Sequence, residues 1–159
     1  MLGITRKTDY ALVALARLAE ADSPRPQSRP ISVRRIADQY SLPLPQMMNV
    51  FKALQQAGLV RSTRGAQGGY ILADRADRIK LLSVIEAIEG PIHLTMCCQE
   101  EETDGEPCVS CELIDRCPVT EGTRKLNMNI IALLSQITIR DLMDSHVDVP
   151  LNQVTIGPC

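Results

Sequence analysis

Apolar residues recur at helical spacing in several separate stretches of the chain. Ala11, Leu12, Leu15, Leu18 and Ala19 follow Thr8-Asp9-Tyr10 and predict a first helix, with Thr8 or Asp9 near its N-terminus. Residues 23–30, SPRPQSRP, cannot be helical throughout, because proline lacks the amide hydrogen and fixes φ. Ser32 is placed to cap a short helix over residues 33–40 with Val33, Ile36 and Ala37 on one face. A turn at Ser41-Leu42-Pro43 leads to a third helix, from residue 44 or 45 to 57. Its apolar positions are Met47, Val50, Phe51 and Leu54, and Gly58 is the expected stop.

The period then changes. Residues 59–72, LVRSTRGAQGGYIL, read as two short strands, 59–62 and 70–72, around a glycine-bearing loop. Residues 81–89, LLSVIEAIE, predict another helix, ended by Gly90-Pro91. A long helix over about residues 121–138 carries Leu126, Ile130, Leu133, Leu134 and Ile137, and a short one over 139–145 follows it. The expected fold is mainly α with a small β-hairpin wing: a winged helix-turn-helix domain plus a long dimerisation helix. The corresponding division is residues 1–90 for the winged domain, 91–120 for a cysteine-rich loop, 121–145 for the dimerisation region and 146–159 for a tail.

Charge sharpens this pattern. Residues 1–80 carry 13 Lys+Arg against 6 Asp+Glu, whereas residues 81–159 carry 4 against 13. A basic half joined to an acidic half suggests that the first meets a polyanion. In the third helix Gln46, Asn49 and Lys52 are the polar positions able to meet base edges or phosphates. Arg61 and Arg64 in the hairpin suit phosphate or minor-groove contact, and Gly68-Gly69 suits a close backbone approach to a phosphate chain. The plainer reading of the hairpin is structural, with its arginines facing solvent. An aliphatic helix of about 18 residues beyond a small winged domain needs a partner surface. A second subunit is the natural one, since helix-turn-helix proteins usually act as symmetric dimers. Packing against the first helix of the same chain is the plainer alternative, compatible with it. Double-stranded DNA and a homodimer are therefore the expected partners.

With 45% hydrophobic but only 3% aromatic residues, the core must be mostly aliphatic. No apolar run approaches the roughly 20 residues of a membrane span. The N-terminal MLGITRKTDY lacks the apolar segment of a secretory signal, so a cytoplasmic location and no membrane partner are expected.

Five of the six cysteines fall in residues 97–119, CCQEEETDGEPCVSCELIDRCPV. In a reducing compartment such a cluster points to metal ligation or redox sensing before structural disulfides. Cys108-Val109-Ser110-Cys111 forms one C-x2-C knuckle of the kind zinc favours, but no second pair exists. A thioredoxin-like reading of that knuckle lacks its βαβ context. Cys159 reads as an incidental terminal thiol, and His93 and His146 as lone, solvated histidines. No nucleophile–base pair or nucleotide-binding glycine motif supports an enzyme.

TRKTDYAL near the N-terminus, the wing RGAQGGYIL, LLSVIEAIEGP and the C-x5-C-P ending at Cys117-Pro118 together resemble the Rrf-two (Rrf2) family of winged-helix iron–sulfur regulators, over roughly residues 1–145. The LT-x-C start at Leu94–Cys97, the CELIDRCPV segment and ITIRDLM look most similar to regulators of SUF cluster assembly. The resemblance implies a dimeric repressor that senses iron–sulfur cluster status and controls cluster-assembly genes. Its alternatives are a nitric-oxide-, iron- or redox-sensing regulator of the same family, or a zinc or thiol-switch DNA-binding protein. The implied cofactor is an iron–sulfur cluster, 2Fe-2S or 4Fe-4S. Cys111 and Cys117 match the last two ligands. Cys97 is the first by the LT-x-C pattern, with adjacent Cys98 and Cys108 as rivals.

Some members use a histidine three residues past the last cysteine, where Thr120 stands in this chain. Others use an acid and a histidine on the first helix, here Asp9 and Val13, so Asp9 is the fourth-ligand candidate, supplied by the other subunit. Asp9 also reads simply as an acidic charge in a first helical turn. Pro45 and Met48 occupy positions where members often carry serine and glutamate, so the operator sequence is expected to differ.

Overall fold

The computed structural model describes residues 5–21, 29–65, 68–98, 102–103, 106–107 and 111–144. Helix α1 (Arg6–Ala21) starts two residues before Thr8. Helices α2 (Val33–Gln39) and α3 (Leu44–Gln56) follow, then strands β1 (Val60–Thr63) and β2 (Gly69–Leu72) and helix α4 (Leu81–Glu89). A single 3-10 turn spans Met96–Cys98. The cysteine stretch also holds a two-residue antiparallel pair that its sequence did not announce, β3 (Glu102–Thr103) with β4 (Glu106–Pro107). Helices α5 (Thr120–Gln136) and α6 (Ile139–Met143) complete the described chain.

Both helices of the helix-turn-helix end in the same capping geometry. After α2, the Leu42 amide donates to Ala37 O (2.8 Å) and the Ser41 amide to Asp38 O (3.4 Å). After α3, the Leu59 amide donates to Leu54 O (2.9 Å) and the Gly58 amide to Gln55 O (3.0 Å). This paired closure satisfies the last free carbonyls and demands a left-handed residue in the turn. Gly58 takes it at φ 71°, Ser41 at φ 53°. Gly58 therefore stops α3 as its position in the sequence suggested.

The core is aliphatic around one aromatic pair. Leu15, Ile36, Met47, Leu54, Val60 and Val84 are buried, and Phe51 packs at 4.7 Å between ring centroids against Tyr70 of β2. The wing is clamped to the body on its outer edge: Ile31 and Tyr70 exchange backbone hydrogen bonds of 3.0 and 2.9 Å. Gly69 allows this approach, because a Cβ there would stand 2.6 Å from the carbonyl carbon and oxygen of Ile31.

The chain returns to the body after α5. The Ile139 amide donates to Ile79 O, the Arg140 amide to Ala76 O, and the Leu81 amide to Ile137 O. Ile139 is buried in the same core as α1 and α3. Thr138 caps α6 reciprocally, its hydroxyl accepting from the Asp141 amide while Asp141 accepts from the Thr138 hydroxyl and amide. These bonds, the hydroxyl's first, hold the Asp141 carboxyl below the ordinary aspartate range. A carboxylate with a depressed folded-state pKa stabilises fully above its unfolded pKa and loses that contribution as pH falls through the folded one. Thr138→Val is accordingly expected to cost about 1 kcal/mol at neutral pH. The difference from wild type should shrink below the ordinary aspartate range, as urea titrations from pH 7 to pH 3 would reveal. A pH-independent difference would mean that the cap does not act through the carboxylate.

Candidate nucleic-acid interface and thiol site

Helix α3 separates its residues cleanly into two faces. Met47, Val50, Phe51 and Leu54 are buried, while Gln46, Met48, Asn49 and Lys52 are exposed. The three polar residues expected at a nucleic-acid surface thus lie outward on one element. Arg64 is exposed beside the wing turn and forms no ion pair among the described residues. Arg61 is exposed too, but its Nη2 donates to Ala73 O at 3.1 Å, tying the base of the wing. The glycines also have reasons within the chain. A Cβ on Gly68 would meet Thr63 O at 2.6 Å, and one on Gly69 would meet the backbone of residue 31. Both glycines therefore also lie close against this protein's own backbone.

The thiol segment is held against the start of α5. The Leu94 amide donates to Asn127 Oδ1 (3.0 Å), and Arg124 Nε donates to Cys97 O (3.0 Å). Asn127 is buried, a polar residue on the α5 stripe that otherwise carries Ile130 and Leu134. That interruption of the apolar spacing was the signal for its role, and sequence reasoning passed over it. Thr95 Oγ1 lies 3.0 Å from Cys97 Sγ and 3.4 Å from Cys98 Sγ, and Cys98 Sγ lies 3.8 Å from Thr123 O. His93, expected to be merely solvated, is exposed but has Nδ1 2.9 Å from Cys98 O. Cys111 and Cys117 flank a run of turns in which Ile114 donates to Cys111 O and Arg116 to Leu113 O.

Cys97, Cys98, Cys111 and Cys117 are free thiols, all partly buried. The Cys117 thiol is lowered from its ordinary value, chiefly by the Thr120 hydroxyl and next by the Val119 amide. Thr120 Oγ1 is itself buried, with no other hydrogen-bond partner among the described residues. Soft, partly exposed sulfurs form a donor set suited to iron–sulfur ligation. Among the described residues, however, no three of His, Cys, Asp or Glu stand close enough together to hold a metal ion. Cys108, like His146 and Cys159, lies outside the described residues.

Asp9 is exposed in the first turn of α1. Its neighbour Thr8 is buried and donates to Glu89 Oε1 at 2.6 Å; Thr5 donates to the same oxygen. These two hydroxyls, Thr5's foremost, hold the Glu89 carboxyl below the usual range. They also pin the start of α1 to the end of α4, the helix that leads into the thiol segment.

The model of the Rrf2 family, described as iron-dependent transcriptional regulator, matches residues 4–145. The chain belongs to the Rrf2 family. The HTH-type transcriptional regulator IscR of Pectobacterium atrosepticum is 30% identical over 142 residues, covering 89% of this chain and 79% of that protein. Among solved structures, CymR, the global cysteine regulator of B. subtilis, superposes with a TM-score of 0.66 at 29% identity, covering 90% of this chain and 97% of that one. IscR of T. potens gives a TM-score of 0.63 at 29% identity over 89% and 86% of the two chains. The winged-helix fold of this Rrf2 protein and its role as a transcriptional regulator rather than an enzyme follow from these relationships. Regulators of the Rrf2 family bind DNA, typically as dimers. No helix among the described residues is long and apolar enough to cross a membrane.

Proposed function

We propose that this Rrf2 protein is a dimeric repressor that reports iron–sulfur cluster status to cluster-assembly genes. Cys97, Cys111 and Cys117 would hold the cluster, with Cys98 and Cys108 as rivals for the first place and Asp9 of the partner subunit as fourth ligand. The observation that supports this reading is the attachment of the thiol segment. Arg124 and Asn127 grip it from α5, and it continues directly from α4, which packs on α1 and α3 of the DNA-facing body. When bound, a cluster would supply a link among the thiolates that oxidants or iron scarcity can remove. The chain's own residues would convert that link into geometry: α5 carries the exposed Leu126 and Met128, apolar surface fitted to a second subunit. A small change at α5 would alter the spacing of the two reading heads, which the DNA helical repeat fixes. The loaded protein would repress, and loss of the cluster would release the operon.

Anaerobic purification with absorption and Mössbauer spectra would identify the metal, and gel-shift titration on one promoter fragment would test the switch. Loaded protein should bind more tightly than either apo-protein or Cys111→Ala/Cys117→Ala. Equal affinity for all three would sink the switch. A cluster-free thiol switch is the second reading, supported by the four free, partly buried thiols and by the likeness to CymR, a cysteine regulator. Metal-free protein whose affinity follows thiol oxidation would favour it.

The wing contributes to affinity without reading sequence in this proposal. Arg64→Ala should weaken binding to operator and scrambled duplex alike and reduce the slope of log affinity against log salt by about one unit. Unchanged affinity would remove the wing from the interface.

A further inference from the structure

Helix α3, LPQMMNVFKALQQ, contains no carboxylate and no arginine, and Lys52 is its one cation. Its outward stripe over the first two turns is Pro45, Met48, Asn49 and Lys52, spaced three or four residues apart, with Gln46 alongside. Met48 is 53% exposed, an apolar side chain standing among polar ones. A buried methionine would be core. What singles out Met48 among the chain's exposed apolar residues is its place between Gln46, Asn49 and Lys52 on the candidate reading surface.

The donor and acceptor code of the major groove decides what this surface can read. Guanine is recognised best by arginine or lysine at O6 and N7, and cytosine by a carboxylate accepting from N4. The stripe offers no carboxylate and no arginine. Its one cation, Lys52, stands last in the stripe and serves equally for a phosphate or a guanine, so it does not set the preference of the other three side chains. Asparagine and glutamine match adenine through N6 and N7, and an apolar side chain matches the thymine 5-methyl group. Resting on the DNA-binding reading above, we propose that α3 reads A·T base pairs: Gln46 and Asn49 address adenine, and Met48 packs its thioether against a thymine 5-methyl. Met48 is then a specificity-determining residue of this chain.

The test uses the full-length protein in the form that binds DNA best. Selection from a randomised duplex library should return half-sites with A·T pairs at the positions contacted by α3. Replacing thymines there with deoxyuridine, one at a time, removes only the methyl group. At one position wild type should lose about 3- to 5-fold in affinity, the worth of one buried methyl. Met48→Ala, whose melting temperature should match wild type because the side chain is exposed, should bind the thymine and deoxyuridine duplexes equally. A G·C-rich consensus, or a Met48→Ala variant with undiminished sensitivity to the methyl group, would overturn the assignment while leaving DNA binding intact. Binding with no sequence preference would overturn it likewise, whereas failure of wild type to bind any duplex would bring down the DNA-binding reading itself.

Discussion

Phe51→Ala is expected to destabilise the protein by about 3–5 kcal/mol, enough to leave a marginal domain partly unfolded. Phe51 is 1% exposed, the chain's one phenylalanine, and its ring meets Tyr70 at an interplanar angle of 47°. Removing it opens a cavity that the surrounding aliphatic side chains cannot refill, since close-packed cores relax only in part. It also cuts the contact by which α3 and the wing position each other. Asn49→Ala is the control on the opposite face of the same helix. It should leave stability within about 0.5 kcal/mol of wild type, as exposed substitutions do, and reduce only operator affinity. Urea unfolding followed by circular dichroism measures the first effect and gel shift the second. Loss below about 1.5 kcal/mol for Phe51→Ala would mean that the core collapses around the gap.

Gly69→Ala should be nearly as damaging, although it adds one carbon. The new Cβ would lie 2.6 Å from both the carbonyl carbon and oxygen of Ile31 and 2.9 Å from Ser32 N, all backbone atoms. No side-chain rotation relieves such a clash, so β2 must part from residue 31. Overpacking of this kind costs about 1–3 kcal/mol, and the two Ile31–Tyr70 hydrogen bonds add about 1 kcal/mol each. The wing would swing and carry Arg64 with it, weakening DNA binding beyond the stability loss. Gly58→Ala supplies the contrast. Nothing stands within 4 Å of its Cβ, so only the left-handed φ of 71° is penalised, at about 1–2 kcal/mol. If Gly69→Ala unfolded no more easily than Gly58→Ala, the clamp between wing and body would be illusory.

Much of this molecule was legible one residue at a time. Helix α4 ran from Leu81 to Glu89 as its pattern required, and α2 and α3 kept their expected faces. Ser32 accepts from the Arg35 amide as a cap should. Each of these features depends on side chains within one or two helical turns, so spacing alone encodes them. The outward set Gln46, Asn49 and Lys52 was readable for the same reason: whatever face is not apolar is displayed.

What spacing could not supply was everything that depends on partners far along the chain. Glycines 68 and 69 read as a pair suited to a phosphate chain, and nothing local announced that residue 31 also lies against the second of them. Arg61 read as a phosphate or minor-groove contact, and its bond to Ala73 O lay beyond any local pattern. Asn127, Arg124 and Thr123 became supports of the thiol segment because tertiary packing brings α5 against residues 94–98. The sequence by itself determined the helices, the wing, the outward polar face and the concentration of thiols, because local periodicity and residue chemistry carry that information. Only the tertiary structure decided which glycine must stay bare, which arginine is engaged and what grips the cysteines, because those are distances between segments that no local pattern contains.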